Sequence, residues 1–248
     1  MLHHIDTTKP ERPEQLQRSR TSLLAGAFGW LFIGLLIAMA LAVGIALIIN
    51  AQVANAVDDA AIELLLERYL VALAICGLVQ FIMIFVVQFR ILRRGAEGSN
   101  LLIPYVLYTA NTGVLLSFLV LITEIEVLVM ALGLTVVIFG LMALYARFTK
   151  QNLIGVGLVA TFLIIGALIL GLFNWLLQSD IIGWIVTFAF FGAVMLITMY
   201  DIWQLQRISE TGANSRNLAL FFALHLFIDF VYILVRVIYF LNIARSRR

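Results

Sequence analysis

The sequence predicts an all-α integral membrane protein, a bundle of seven transmembrane helices with the last one central. Composition is the first observation: of 248 residues, 63% are hydrophobic and 12% charged, whereas a soluble domain runs near ~45–50% and ~25%. A mean hydropathy of +1.08 leaves too much apolar surface for a water-soluble core to hide. The second observation is that seven separate apolar runs approach or exceed the ~20 residues that cross a bilayer at about 1.5 Å per residue. The third is the placement of charge, which falls almost entirely between those runs.

The runs are Leu23–Ile49, Tyr69–Phe89, Leu101–Ile122, Val127–Ala146, Leu153–Leu177, Ile181–Tyr200 and Leu218–Leu241. Only the loop 50–68 and the segment 201–217 exceed a short turn, so a second domain has no room, and close spacing predicts antiparallel neighbours. The chain divides into a polar N-tail at 1–22, a membrane domain at 23–241 and a basic C-tail at 242–248. The tail before the first run is too polar, and the run itself too long, for a cleavable signal. Cys76, the single cysteine, lies in an apolar run and reads as core filler. His3 and His4 read as a chance pair rather than a metal site.

Lysine and arginine set the orientation. The N-tail holds four (Lys9, Arg12, Arg18, Arg20), the second loop three (Arg90, Arg93, Arg94), the fourth two (Arg147, Lys150) and the sixth two (Arg207, Arg216). The loops between them hold Arg68 alone and carry Asp58, Asp59, Glu63, Glu67, Glu124, Glu126 and Asp180. The N-terminus is therefore expected in the cytoplasm. Arg245, Arg247 and Arg248 break the pattern, because seven spans place them outside. Either the seventh segment is a true helix buried in the bundle, the favoured reading, or it is re-entrant. A net charge of +2 gives no reason to expect a nucleic-acid partner. The expected surroundings are the lipid bilayer.

Two acidic residues are out of place. Asp229 lies near the middle of the last run, where an ionised carboxylate costs at least ~2.5–3.5 kcal/mol. Asp201 ends the sixth run, but Ile202–Ile208 could prolong that helix and set Asp201 more than a turn below the surface. On the last helix His225, Asp229, Tyr232 and Arg236 follow at steps of four, three and four, which is one face. Such a stripe belongs in a bundle core or against a water-filled cavity. It fits a functional site and a structural hydrogen-bond network equally well. Helices six and seven are antiparallel neighbours, so the two carboxylates can share an interface, where low dielectric opposes both being charged at once. Their depths agree only roughly, since Asp229 should lie about two turns deeper.

Three segments resemble the Bax inhibitor-1 (transmembrane Bax inhibitor motif) family, bacterial members included. They are Met199-Tyr200-Asp201-Ile202-Trp203-Gln204, the run Ala223 to Val231 leading into Asp229, and Tyr145 to Leu153 with its Thr149-Lys150 pair. Tyr108 to Gly113 is a fainter fourth, and helices one and two match in hydropathy alone. The resemblance implies a pH-sensitive calcium leak gated by Asp201 and Asp229, with Ca²⁺ and protons as the ligands and transient Ca²⁺ contact at those carboxylates. It implies a basic partner from helix two, for which Arg90 and then Arg93 and Arg94 are the candidates. Gln204, His225, Tyr232 and Arg236 are the expected supporting polar groups. His225, Phe227 and Tyr232 depart from the family pattern, and Arg236 comes about a turn early, so the gating pH is specific to this chain.

A proton-gated calcium leak of the bacterial inner membrane is thus the leading expectation, with no cofactor. The alternative is a non-conducting regulator, for instance of a membrane-bound AAA protease, which would use the polar N-tail as its ligand. An intramembrane enzyme is disfavoured. No Gly-x-Gly-Asp precedes either aspartate, and no His-Glu-x-x-His, Cys/His cluster or phosphate loop is present.

Overall fold

In the computed structural model, residues 13–95, 98 and 100–246 are described, with side chains from Ser22 onward. Expectations for His3, His4, Lys9 and Arg12, for the Arg18 and Arg20 side chains and for the terminal Arg247 and Arg248 lie outside the described residues. The order is α1 (Pro13–Ala54), α2 (Asp59–Arg94), α3 (Leu102–Ile122), α4 (Ile125–Phe148), α5 (Ile154–Leu177), α6 (Asp180–Glu210) and α7 (Arg216–Ser246). All seven are long and apolar enough to cross a membrane.

Four helices outrun their apolar cores. The expected loop 50–68 shrinks to a linker at 55–58, and 201–217 to one at 211–215. Asp58 caps α2 by accepting the backbone N–H of Ala61 at 2.8 Å, and the following Ala, Glu and Leu residues are good helix formers, so the helix starts a full ten residues before its apolar run. At 36 residues, α2 is about 54 Å long, which carries both its ends beyond the hydrocarbon. After α6 the backbone reverses at Gly212, whose φ of 82° is left-handed and costs glycine nothing.

The core gathers round the last helix. α7 packs against α1, α3, α4 and α6 and is the most enclosed of the seven, with Leu220, Phe222, Leu226, Phe227 and Ile233 fully buried. α1 lies along α3 through a stripe of small side chains, Ala38, Ala42 and Ala46, each 3% exposed or less. Small residues let helix backbones approach closely where lipid supplies no hydrophobic drive to pack. Across this seam Trp30 and Tyr105 meet edge to face at 6.1 Å, and the Tyr105 hydroxyl donates to the carbonyl of Trp30. α5 packs on α6 and α2 on α3, each turning a wide apolar face outward. α2 is the least enclosed helix.

The seventh segment is a continuous membrane-crossing helix rather than a re-entrant loop. Near its end Arg245 meets the acidic α3–α4 linker, with Nη2 2.6 Å from Glu124 Oε2 and Nη1 3.6 Å from Glu126 Oε2. These partners offset the arginine that charge counting placed on the wrong side. All three side chains are about half exposed or more, so the ion pairs add under ~1 kcal/mol to stability. Their value is topological. A reporter fused after Arg248 should read on the same side of the membrane as one inserted at residues 123–124. Opposite readings would show that α7 does not cross in the membrane.

Candidate functional site

The pairing of α6 with α7 decides the site. Asp201 lies nine residues before the end of α6 at Glu210, and His225 nine residues after the start of α7 at Arg216. In antiparallel helices joined by a short turn these two stand level. Thr198 and Asp229, twelve and thirteen residues from the same ends, form the next level, about one turn or ~6 Å deeper. The contacts follow this register. His225 Nδ1 is 3.9 Å from Asp201 Oδ2, and the Thr198 hydroxyl is the hydrogen-bond partner of the Asp229 carboxyl.

The two carboxylates lie one step apart on facing helices, near enough for the charge of Asp201 to act on Asp229. Both are buried, at 9% and 7% exposure, and Asp229 Oδ2 is an enclosed oxygen with no hydrogen-bond donor. Thr198 also donates its proton to the carbonyl of Val194 at 2.8 Å, which leaves its oxygen free to accept. Among the described residues no arginine or lysine forms an ion pair with either carboxylate. Among the described residues the base within ion-pair range is His225, beside Asp201.

His225 also connects the site to α2. Its Nε2 lies 3.2 Å from Gln88 Nε2, so Gln88 reaches the site from α2. Arg90, the expected basic partner, stands exposed two residues further on and lines an outward groove with Phe85, Val86, Phe89, Arg93 and Arg94. Arg93 rests over the Phe89 ring at 5.6 Å. Of the supporting stripe, Tyr232 and Arg236 turn to each other, with Arg236 Nε donating to the Tyr232 hydroxyl at 2.9 Å and Phe190 packed on the tyrosine ring at 5.1 Å. Gln204 is half-buried one turn from Asp201, and its side chain makes no hydrogen bond among the described residues.

A second polar line runs along α2 and α3. Tyr69 bonds Ser117 at 2.7 Å. Asn111 donates to the carbonyl of Cys76 at 2.9 Å and to Gln80 Oε1 at 2.6 Å, and Gln80 donates to Thr112 at 2.7 Å. Gln80, Thr112, Tyr108 and Tyr232 line a cleft of about 310 Å³ between α2, α3 and α7. Sequence reasoning passed over Gln80 and Gln88 because it followed charges. The signal was there: Tyr69, Cys76, Gln80 and Gln88 are spaced by seven, four and eight residues, which is one face of α2.

Seven long apolar helices with the last one central, and two buried acids on the neighbouring helices α6 and α7, define a multi-pass membrane protein. The family model described as inhibitor of apoptosis-promoting Bax1 matches residues 20–246, and the chain belongs to this Bax inhibitor-1 family. The match takes in α1 and α2 as well as the helices whose motifs carry the resemblance. The chain is similar to inner membrane protein YbhL of Escherichia coli strain K12, 28% identical over 229 residues that cover 89% of this chain and 92% of the relative. It is equally similar to the protein of that name from E. coli O6:H1. No solved structure matches the chain.

Proposed function

We propose that the protein is a pH-sensitive calcium leak of the inner membrane, gated at Asp201 and Asp229, with its N-terminus in the cytoplasm. The observation that carries this reading is a couple of buried carboxylates on adjacent helices, with no lysine or arginine ion-paired to them among the described residues, in a chain of this family. When the couple holds a proton, a carboxylic O–H at Asp229 finds the Thr198 oxygen as acceptor, and α6 and α7 stay closed. When both acids ionise, two unscreened charges repel in a low-dielectric interface and the helices part. Carboxylate oxygens suit hard cations such as Ca²⁺, and two of them give a contact weak enough to release the ion. The polar cleft lined by Gln80, Tyr108, Thr112 and Tyr232, which on α7 lies within one turn of Asp229, supports hydration of a path. The chain is read as non-enzymatic, since the hydroxyl beside the acids, that of Thr198, donates its proton to the Val194 carbonyl rather than to a base.

The test is uptake of radioactive calcium into liposomes holding the purified protein, at pH 6 and pH 8 on both faces. Because ionisation opens the gate in this scheme, uptake should be several-fold faster at pH 8. Uptake equal at the two values, or equal to protein-free liposomes, would leave the non-conducting regulator as the better reading.

A further inference from the structure

We propose that a pocket at the basic end of the bundle, between α4, the linker 149–153 and α6, binds a phosphate-bearing anion. The pocket is about 320 Å³ and includes Arg147, Lys150, Arg207, Thr149, Trp203 and Glu210 in its wall. Three cations face one carboxylate. Glu210 is engaged by Arg207 at 3.2 Å, whereas Arg147 and Lys150 have no acidic partner among the described residues. In most surface clusters interspersed acids neutralise the bases, and here two cations are left for a ligand.

The neutral members of the wall point to the same chemistry. Trp203 is 9% exposed with its indole Nε1 enclosed, so what it offers the wall is its ring. The guanidinium of Arg207 lies 5.5 Å over the Trp203 ring, held in place and ready to present a planar fork to phosphate oxygens. The Thr149 hydroxyl lies on the same wall and is bonded only weakly, to the Gln151 N–H at 3.3 Å. A phosphate would thus meet the Arg147 and Lys150 cations, an oriented guanidinium and a hydroxyl. Two sources fit this chemistry: the headgroup of an anionic lipid, for which basic pockets between membrane helices are a known type of site, and free phosphate. The pocket shares α6 with Asp201, but it does not depend on the calcium reading.

Binding to detergent-solubilised protein should be measured by titration calorimetry with three probes: dioctanoyl phosphatidylglycerol, dioctanoyl phosphatidylcholine and inorganic phosphate. Each interfacial cation contributes about fivefold in affinity. The double variant Arg147→Ala/Lys150→Ala should therefore lose about tenfold or more for the anionic probe that binds, while Arg147→Lys/Lys150→Arg keeps it. Both residues are exposed, so thermal unfolding of the variants should match the parent. Phosphatidylglycerol bound in preference to phosphatidylcholine, with no saturable phosphate binding, supports the site and identifies the lipid. Saturable phosphate binding lost in the double variant supports the site and identifies the soluble anion. Equal binding of the two lipids without phosphate binding, or affinities unchanged in the double variant, overturns the proposal.

Discussion

Gly113→Ala should lower the thermal unfolding temperature in detergent by several degrees, and Gly113→Val by more. A Cβ on Gly113 would stand 2.6 Å from the Ala38 carbonyl oxygen and 2.9 Å from both Ala38 Cα and Leu41 Cβ. The first two are backbone atoms of α1, so no side chain can swing aside. The whole seam must widen, and Ala38 and Leu41 lose their close contact with α3. Overpacking of this kind costs about 1–3 kcal/mol, while alanine's better helix propensity returns at most ~1 kcal/mol. Gly133→Ala and Gly140→Ala on α4 supply the comparison, since a Cβ at either position meets nothing within 4 Å. They should leave the melting temperature level or raise it slightly. If Gly113→Ala behaves like these two, the α1–α3 contact is looser than its geometry indicates.

The seam also marks what the sequence could and could not disclose. Seven helices were legible because a bilayer demands about 20 apolar residues in each span, and each run met or approached that length. The helix ends were not legible. Residues 59–68 read as loop and 202–208 as loop or as a continuation of the helix, because nothing in hydropathy separates a helix that continues into water from one that stops. Those hidden turns also explain the doubt over depth. Counted from the apolar runs, Asp229 seemed two turns below Asp201. Counted from the true ends at Glu210 and Arg216, the offset is one turn, with His225 filling the level of Asp201. The anomaly at Arg245 had a similar origin, because its partners Glu124 and Glu126 lie more than a hundred residues away and only folding reveals them. Gln88 was overlooked for a different reason. An uncharged amide in an apolar run costs little and draws no notice, although it is the side chain that joins α2 to His225.

Asp201→Asn and Asp229→Asn should each bring the ratio of calcium uptake at pH 8 to that at pH 6 down to about one. Asparagine keeps the shape of the protonated acid but can never ionise. Either change therefore leaves at most one charge in the couple, too few for mutual repulsion, and holds the gate at its low-pH level throughout. The enclosed Asp229, with one oxygen lacking any donor, should respond at least as fully as Asp201, whose neighbour His225 can share charge. Neither variant should be less stable than the parent, because a neutral amide is cheaper to bury than a carboxylate, and an unchanged or higher melting temperature separates lost gating from lost fold. Asp180→Asn, at an exposed carboxylate starting α6, should keep the parent's pH ratio, which ties the effect to the couple rather than to total charge. His225→Gln divides the remaining possibilities. If it abolishes the pH response while both aspartate variants retain it, the imidazole is the sensor and the carboxylates are structural. If it merely displaces the pH of the transition, the acids are the gate and the histidine tunes it, because it faces only one of the two charges that must separate.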